Sequence, residues 1–95
     1  MNAQQRLVIL KGDLQLLTDA NDEYLKVLID QGQAAIKREG IVLTEGDIES
    51  DMAVIQYAAY LFRKRAGTDT AMPRSLRLQL NNMLFSQKAQ KGRTP

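Results

Sequence analysis

The sequence predicts an all-α protein, a small bundle of about four helices in one domain. Three observations carry that expectation. Apolar residues recur three and four positions apart in four separate stretches, the period of a helix with one buried face. Three of those stretches are bounded by residues that start or stop helices. The one short run that reads equally well as a strand, Leu7–Leu10, has no evident partner strand.

The first stretch places Leu7, Leu10, Leu14 and Leu17 at spacings of 3, 4 and 3. Gly12 interrupts it, at a cost of about 1 kcal/mol relative to Ala. A stop near Lys11 is therefore expected, with Asp13–Thr18 as an extended connector. The second helix is better punctuated. Asp19 or Asn21 caps it, and Asp22 and Glu23 put negative charge at the positive end of its macrodipole. Leu25, Leu28, Ile29, Gly32, Ala35 and Ile36 form its apolar stripe, Lys37 and Arg38 fall in its last turn, and Gly40 supplies a left-handed stop. The small residues Gly32, Ala34 and Ala35 allow a neighbouring helix to approach closely.

Ile41-Val42-Leu43 reads as an apolar connector pinned to the core. Thr44 is the expected cap of the third helix, with Glu45 and Asp47 in its first turn. Ile48, Met52, Ile55, Ala59 and Phe62 then follow at spacings of 4, 3, 4 and 3. Ala58 and Leu61 widen that stripe, which predicts a central helix. It ends in Arg63-Lys64-Arg65, with Gly67 just beyond. After the polar connector Gly67–Met72, Pro73 suits the first position of a fourth helix, where its missing N–H is not needed. Leu76, Leu80, Met83 and Leu84 form that helix's buried face, while Leu78 and Phe85 point elsewhere. From Lys88 the apolar pattern is lost. The expected organisation is one helical domain over residues 1–87 and a flexible basic tail over 88–95, with no internal repeat.

Composition narrows the function. A chain of 95 residues buries only about 60–65% of the surface its unfolded form exposes, so its core is modest. Three Tyr, two Phe and no Trp leave that core to aliphatic residues. No cysteine is present, which fits a reducing compartment. The apolar run Leu7–Leu10 is too short for a signal-peptide core of about 7–15 residues. It is also far below the roughly 18 residues that span a bilayer, so a soluble intracellular protein with no membrane partner is expected.

Enzymatic chemistry is not expected. Histidine and cysteine are both absent, which removes the commonest general base, the commonest metal ligand and the thiol nucleophile. The acids Asp19, Asp22, Glu23, Glu45 and Asp47 sit at helix starts, where capping accounts for them. Asp47, Glu49 and Asp51 alternate as in a calcium loop, but the required glycine and closing glutamate are missing. The six glycines are scattered and build no phosphate loop. No catalytic residue, cofactor or metal is assigned.

Charge is the feature that asks for a partner. Residues 1–51 hold five Lys/Arg and ten Asp/Glu, while residues 52–95 hold eight and one, so the halves carry −5 and +7. Arg63, Lys64 and Arg65 have a structural explanation as cations at a helix C-terminus. Arg74 and Arg77, three apart on the fourth helix, would join them in a basic patch of five if the last two helices form a hairpin. That patch suits nucleic-acid phosphates or the acidic half of another copy. Asn81-Asn82 within a helix suggests side chains with a hydrogen-bonding task. Val54, Tyr57, Tyr60, Leu78 and Phe85 are apolar residues left over once each stripe is assigned, and they point to a subunit interface.

These segments together resemble the small head–tail connector, or adaptor, proteins of tailed bacteriophages and prophages. The resemblance lies in LKGDLQLL, DEYLKVLIDQGQAAIKREGI, YAAYLFRKRAG and MPRSLRLQLNNMLFSQK. It covers about residues 7–88, with the last two segments the most specific. It implies an all-α structural protein of the virion, assembled in the host cytoplasm and placed at the head–tail interface. Its implied partners are the portal protein, downstream tail or stopper proteins, and further copies in a ring of about a dozen around the DNA passage. Non-specific contact with DNA in that channel is also implied. Arg63, Lys64, Arg65, Arg74, Arg77, Asn81, Asn82 and Phe85 lie in the matching motifs and are the interface candidates.

A second reading comes from another class. The third and fourth helices can be taken as the helix-turn-helix of a small phage regulator, with Arg74 and Arg77 in the major groove. Against it, the connector Gly67–Met72 is longer than the usual turn of about 3–4 residues. The recognition helix would also carry Leu76, Leu78 and Leu80 where base-reading side chains belong.

Overall fold

Four helices follow one another: α1 (Ala3–Leu14), α2 (Asp22–Arg38), α3 (Ile48–Arg65) and α4 (Arg74–Arg93). This is an all-α fold, seen in a computed structural model that describes residues 1–67 and 71–93, the side chains of 91–93 excepted. Thr68, Asp69 and Thr70, on which part of the expected Gly67–Met72 connector falls, lie outside the described residues, as do Thr94 and Pro95 of the expected tail.

α3 is the central element and packs against the other three helices. Its buried side chains Val54, Ile55, Ala58 and Ala59 meet Leu7 and Leu10 of α1, Leu25, Leu28 and Ile36 of α2, and Leu76 and Leu80 of α4 in one apolar cluster. α2 comes especially close. A Cβ on Gly32 would lie 3.3 Å from the Tyr57 Cβ and 3.4 Å from both the Ala58 nitrogen and the Val54 oxygen. The small residue expected to admit a neighbouring helix does so at this position. Val54, counted among the leftover apolar residues, is core, being only 1% exposed.

α1 runs past the expected stop. Gly12 lies inside the helix with open space around it. One glycine costs only about 1 kcal/mol, and the extra turn brings Leu14 against the core. The helix ends instead at Gln15, whose φ of 58° puts it in the left-handed region. That turn breaks the leucine register, so Leu17 is 97% exposed and not part of the stripe. At the other end Asn2 and Gln5 form a reciprocal capping box, with bonds of 2.8 and 2.9 Å.

The start of α3 also differs from expectation. Asp47, not Thr44, is the cap: its carboxylate accepts the Ser50 N–H at 3.1 Å and the Ser50 hydroxyl at 3.0 Å. Gly46, at φ 81°, turns the chain between Thr44 and Asp47 and delays the helix. Ile48 consequently begins α3 outside the core and is 68% exposed, although its spacing had placed it on the stripe. Gly40, at φ 92°, closes α2 in the left-handed conformation as expected.

A buried ion cluster joins α1 to α3. Asp51 accepts hydrogen bonds from the Met1 amine at 2.9 Å and from Arg6 at 2.9 and 2.7 Å. Burial pushes its carboxyl up, but the bonds from the amine and Arg6 outweigh burial and hold it below the ordinary carboxylate value.

Pro73 stands one residue before α4, and its carbonyl accepts the Arg77 N–H at 3.1 Å. The expected boundary at Lys88 is not an end of structure, because α4 continues to Arg93.

Candidate interface on the fourth helix

α4 packs on the body through Leu76, Leu80 and Met83, spaced 4 and 3 apart as one helical face requires. The opposite face turns outward by the same geometry. It presents Arg74, Leu78, Asn82, Phe85 and Ala89, all exposed and spaced 4, 4, 3 and 4. Leu78 is 57% exposed and Phe85 67%. Asn81 lies at the margin and is half-buried, and Lys88 is exposed one turn beyond Phe85.

The eight candidates thus divide into two groups. Arg74, Asn82 and Phe85 share the outer face of α4, with Asn81 at its edge. The other four have partners within the chain. Arg63 donates to the Asp13 carboxylate at 3.2 Å and to its carbonyl at 3.4 Å. Lys64 lies over the Tyr60 ring at 5.7 Å and Arg65 over the Tyr24 ring at 5.8 Å. Arg77 pairs with Glu39 at the end of α2, beside the half-buried Tyr57, whose hydroxyl is pushed up by burial and by that carboxylate. These contacts hold the side chains near helix ends, each at a small gain in stability. Of the five cations in the expected basic patch, Arg63 and Arg77 are paired with acids, Lys64 and Arg65 keep their charge but lie over rings at the end of α3, and Arg74 stands on the outer face of α4. Arg77, the second groove reader of the helix-turn-helix alternative, is tied to Glu39.

Leu78 shares this exposed face; the sequence marks it as an apolar residue pointing to a subunit interface but does not place it among the eight candidates. The signal was present, since Arg74, Leu78 and Phe85 are four and seven apart and must share a face.

The local electrostatics of α4 are unusual. Its first turn holds no acid, although the amide end of a helix favours one by about 0.3–1 kcal/mol. Among the described residues no group of three or more acids converges as a metal-holding set. No helix among them is long and apolar enough to cross a membrane. Comparisons with protein-family models, with curated proteins and with solved structures found no match to this chain.

Proposed function

We propose that this protein is a structural assembly protein, a head–tail connector that joins the portal to the tail as a ring around the DNA passage, and that it works by docking and not by catalysis. One observation carries the reading. The exposed face of α4 from Arg74 to Lys88 falls within MPRSLRLQLNNMLFSQK, the segment in which the resemblance to connectors is most specific. A helix of a small monomer has no folding reason to expose Leu78 and Phe85 together on one face between two cations, whereas an interface does. In this reading Phe85 and Leu78 are the apolar anchors. Arg74 and Lys88 set register, and Asn82, with Asn81 beside it, supplies hydrogen bonds.

The test is binding to the portal ring of the phage or prophage that encodes the chain. Arg74→Glu combined with Phe85→Ala is expected to weaken binding by at least about tenfold, roughly 1.4 kcal/mol, with the melting curve unchanged. Binding as tight as that of the unmodified chain would overturn the reading. A mobility shift on duplex DNA tests the regulator alternative, which requires sequence-specific binding at physiological salt.

A further inference from the structure

α4 starts against its own dipole. Arg77 in its first turn is neutralised by Glu39, but Arg74 is exposed and makes no ion pair with another described residue. Along the outer face the order is cation, Leu78, Phe85, cation, with Lys88 closing the series. Two such faces do not suit each other. Packed antiparallel about the middle of the helix, Leu78 meets Phe85 of the second copy, but Arg74 then lies beside the second copy's Lys88. Packed in parallel, Arg74 meets Arg74. Like charges held together at an interface oppose association, so an acidic surface suits this face better than a second copy of the same face does.

Such a surface stands on the same chain. Between Glu39 and Phe62 there is no lysine or arginine. Within that stretch Glu45, Asp47, Ile48 and Glu49 are exposed, and neither Glu45 nor Glu49 forms an ion pair with a described residue. Ile48 stands at the corner where α3 begins, with acids on both sides of it. In the same molecule this corner borders α4 at Ser86 and Gln90, on its flank, and leaves Leu78 and Phe85 uncovered.

We propose that the Glu45–Glu49 corner of one copy docks on the outer face of α4 of a second copy. Ile48 lies against Leu78 and Phe85, and Glu45 and Glu49, which are not engaged in capping α3, turn towards the two cations, Arg74 and Lys88. An acid there also meets the positive end of the α4 dipole. Two different faces meet, so the contact is heterologous, and every copy keeps one face of each kind for the next. A corner of a few residues on one helix is smaller than a standard interface, so each contact is weak alone. The inference rests on reading the α4 face as an assembly surface, and it names what covers that face.

Sedimentation velocity of the full chain, taken up to about 1 mM, tests it. The unmodified chain is expected to associate with concentration, and less so in high salt. Arg74→Glu alone and Glu49→Lys alone should each weaken association on the order of tenfold, with unchanged circular dichroism. An equimolar mixture of the two variants should recover it, because each mutated face then meets its complement. A chain that stays monomeric throughout overturns the proposal. So does an Arg74→Glu variant that associates more strongly, which would mean that α4 pairs with α4. A monomer whose portal binding still depends on Arg74 and Phe85 would sink this contact and spare the connector reading. Self-association through these faces without portal binding would do the reverse.

Discussion

The Gln87 side chain satisfies both backbone hydrogen-bonding groups of Val42. The Val42 N–H donates to Gln87 Oε1 at 2.8 Å, and Gln87 Nε2 donates to the Val42 carbonyl at 2.8 Å. These residues are 45 positions apart, and their bonds tie α4 to the connector between α2 and α3. Gln87→Ala should cost about 1–2 kcal/mol, two ordinary hydrogen bonds at a partly solvated site. Urea denaturation measures the loss, and the Val42 amide should exchange with solvent much faster.

Asp51 is expected to be the most sensitive polar position. Asp51→Asn leaves Arg6 and the Met1 amine without their carboxylate in a site where Asp51 is 1% exposed. Breaking a pair of this kind should cost about 3 kcal/mol. The pH dependence follows from the lowered carboxyl pKa. The stabilisation is complete above the unfolded value, near 3.8, and is lost as pH falls through the lower folded value. The stability gap between the two proteins should therefore hold at neutral pH and narrow below about pH 4.

Two helical glycines should respond to alanine with opposite sign. Gly12 has open space where a Cβ would go, so Gly12→Ala should stabilise by about 0.5–1 kcal/mol. At Gly32 the new methyl would meet two backbone atoms and the Tyr57 Cβ, none of them the end of a flexible side chain. Overpacking of about 1–3 kcal/mol should exceed the propensity gain there, and Gly32→Ala should lower the melting temperature.

The start of α3 gives a similar contrast. Asp47→Ala removes the capping carboxylate and should cost about 1 kcal/mol. Thr44→Ala should stay within about 0.5 kcal/mol, since the bond this residue makes to Ser50 comes from its backbone N–H. Equal losses from both substitutions, by thermal melts, would mean that Thr44 helps to begin the helix.

What could be read in advance was what local pattern controls. The acids, stripe, small residue and glycine stop of α2 all follow from nearest-neighbour helix physics, and so does the centrality of α3. The Asp51 cluster did not emerge because its partners lie 45 and 50 residues away. Yet Asp51 falls four before Ile55 and seven before Ala58, a spacing that already placed it on the buried face. The α3 start was misplaced because Thr44 and Asp47 are both good caps, and only the turn at Gly46 selects between them. Of the candidate interface, the exposed residues that share a face of α4 were visible from helical spacing. Which cations stay available depended on Asp13 and Glu39, acids distant in the chain whose approach no local pattern reports.

The Gln87 bonds have another consequence, in what they prevent. Ile41-Val42-Leu43 is a short, β-prone, non-helical run, and Val42 turns most of its side chain to solvent. Runs of this kind are templates on which stray strands nucleate aggregates, because one edge of the backbone lies open. Here the glutamine amide imitates a neighbouring strand and occupies that edge. A stray strand can pair with Val42 on that edge only after both Gln87 bonds have opened.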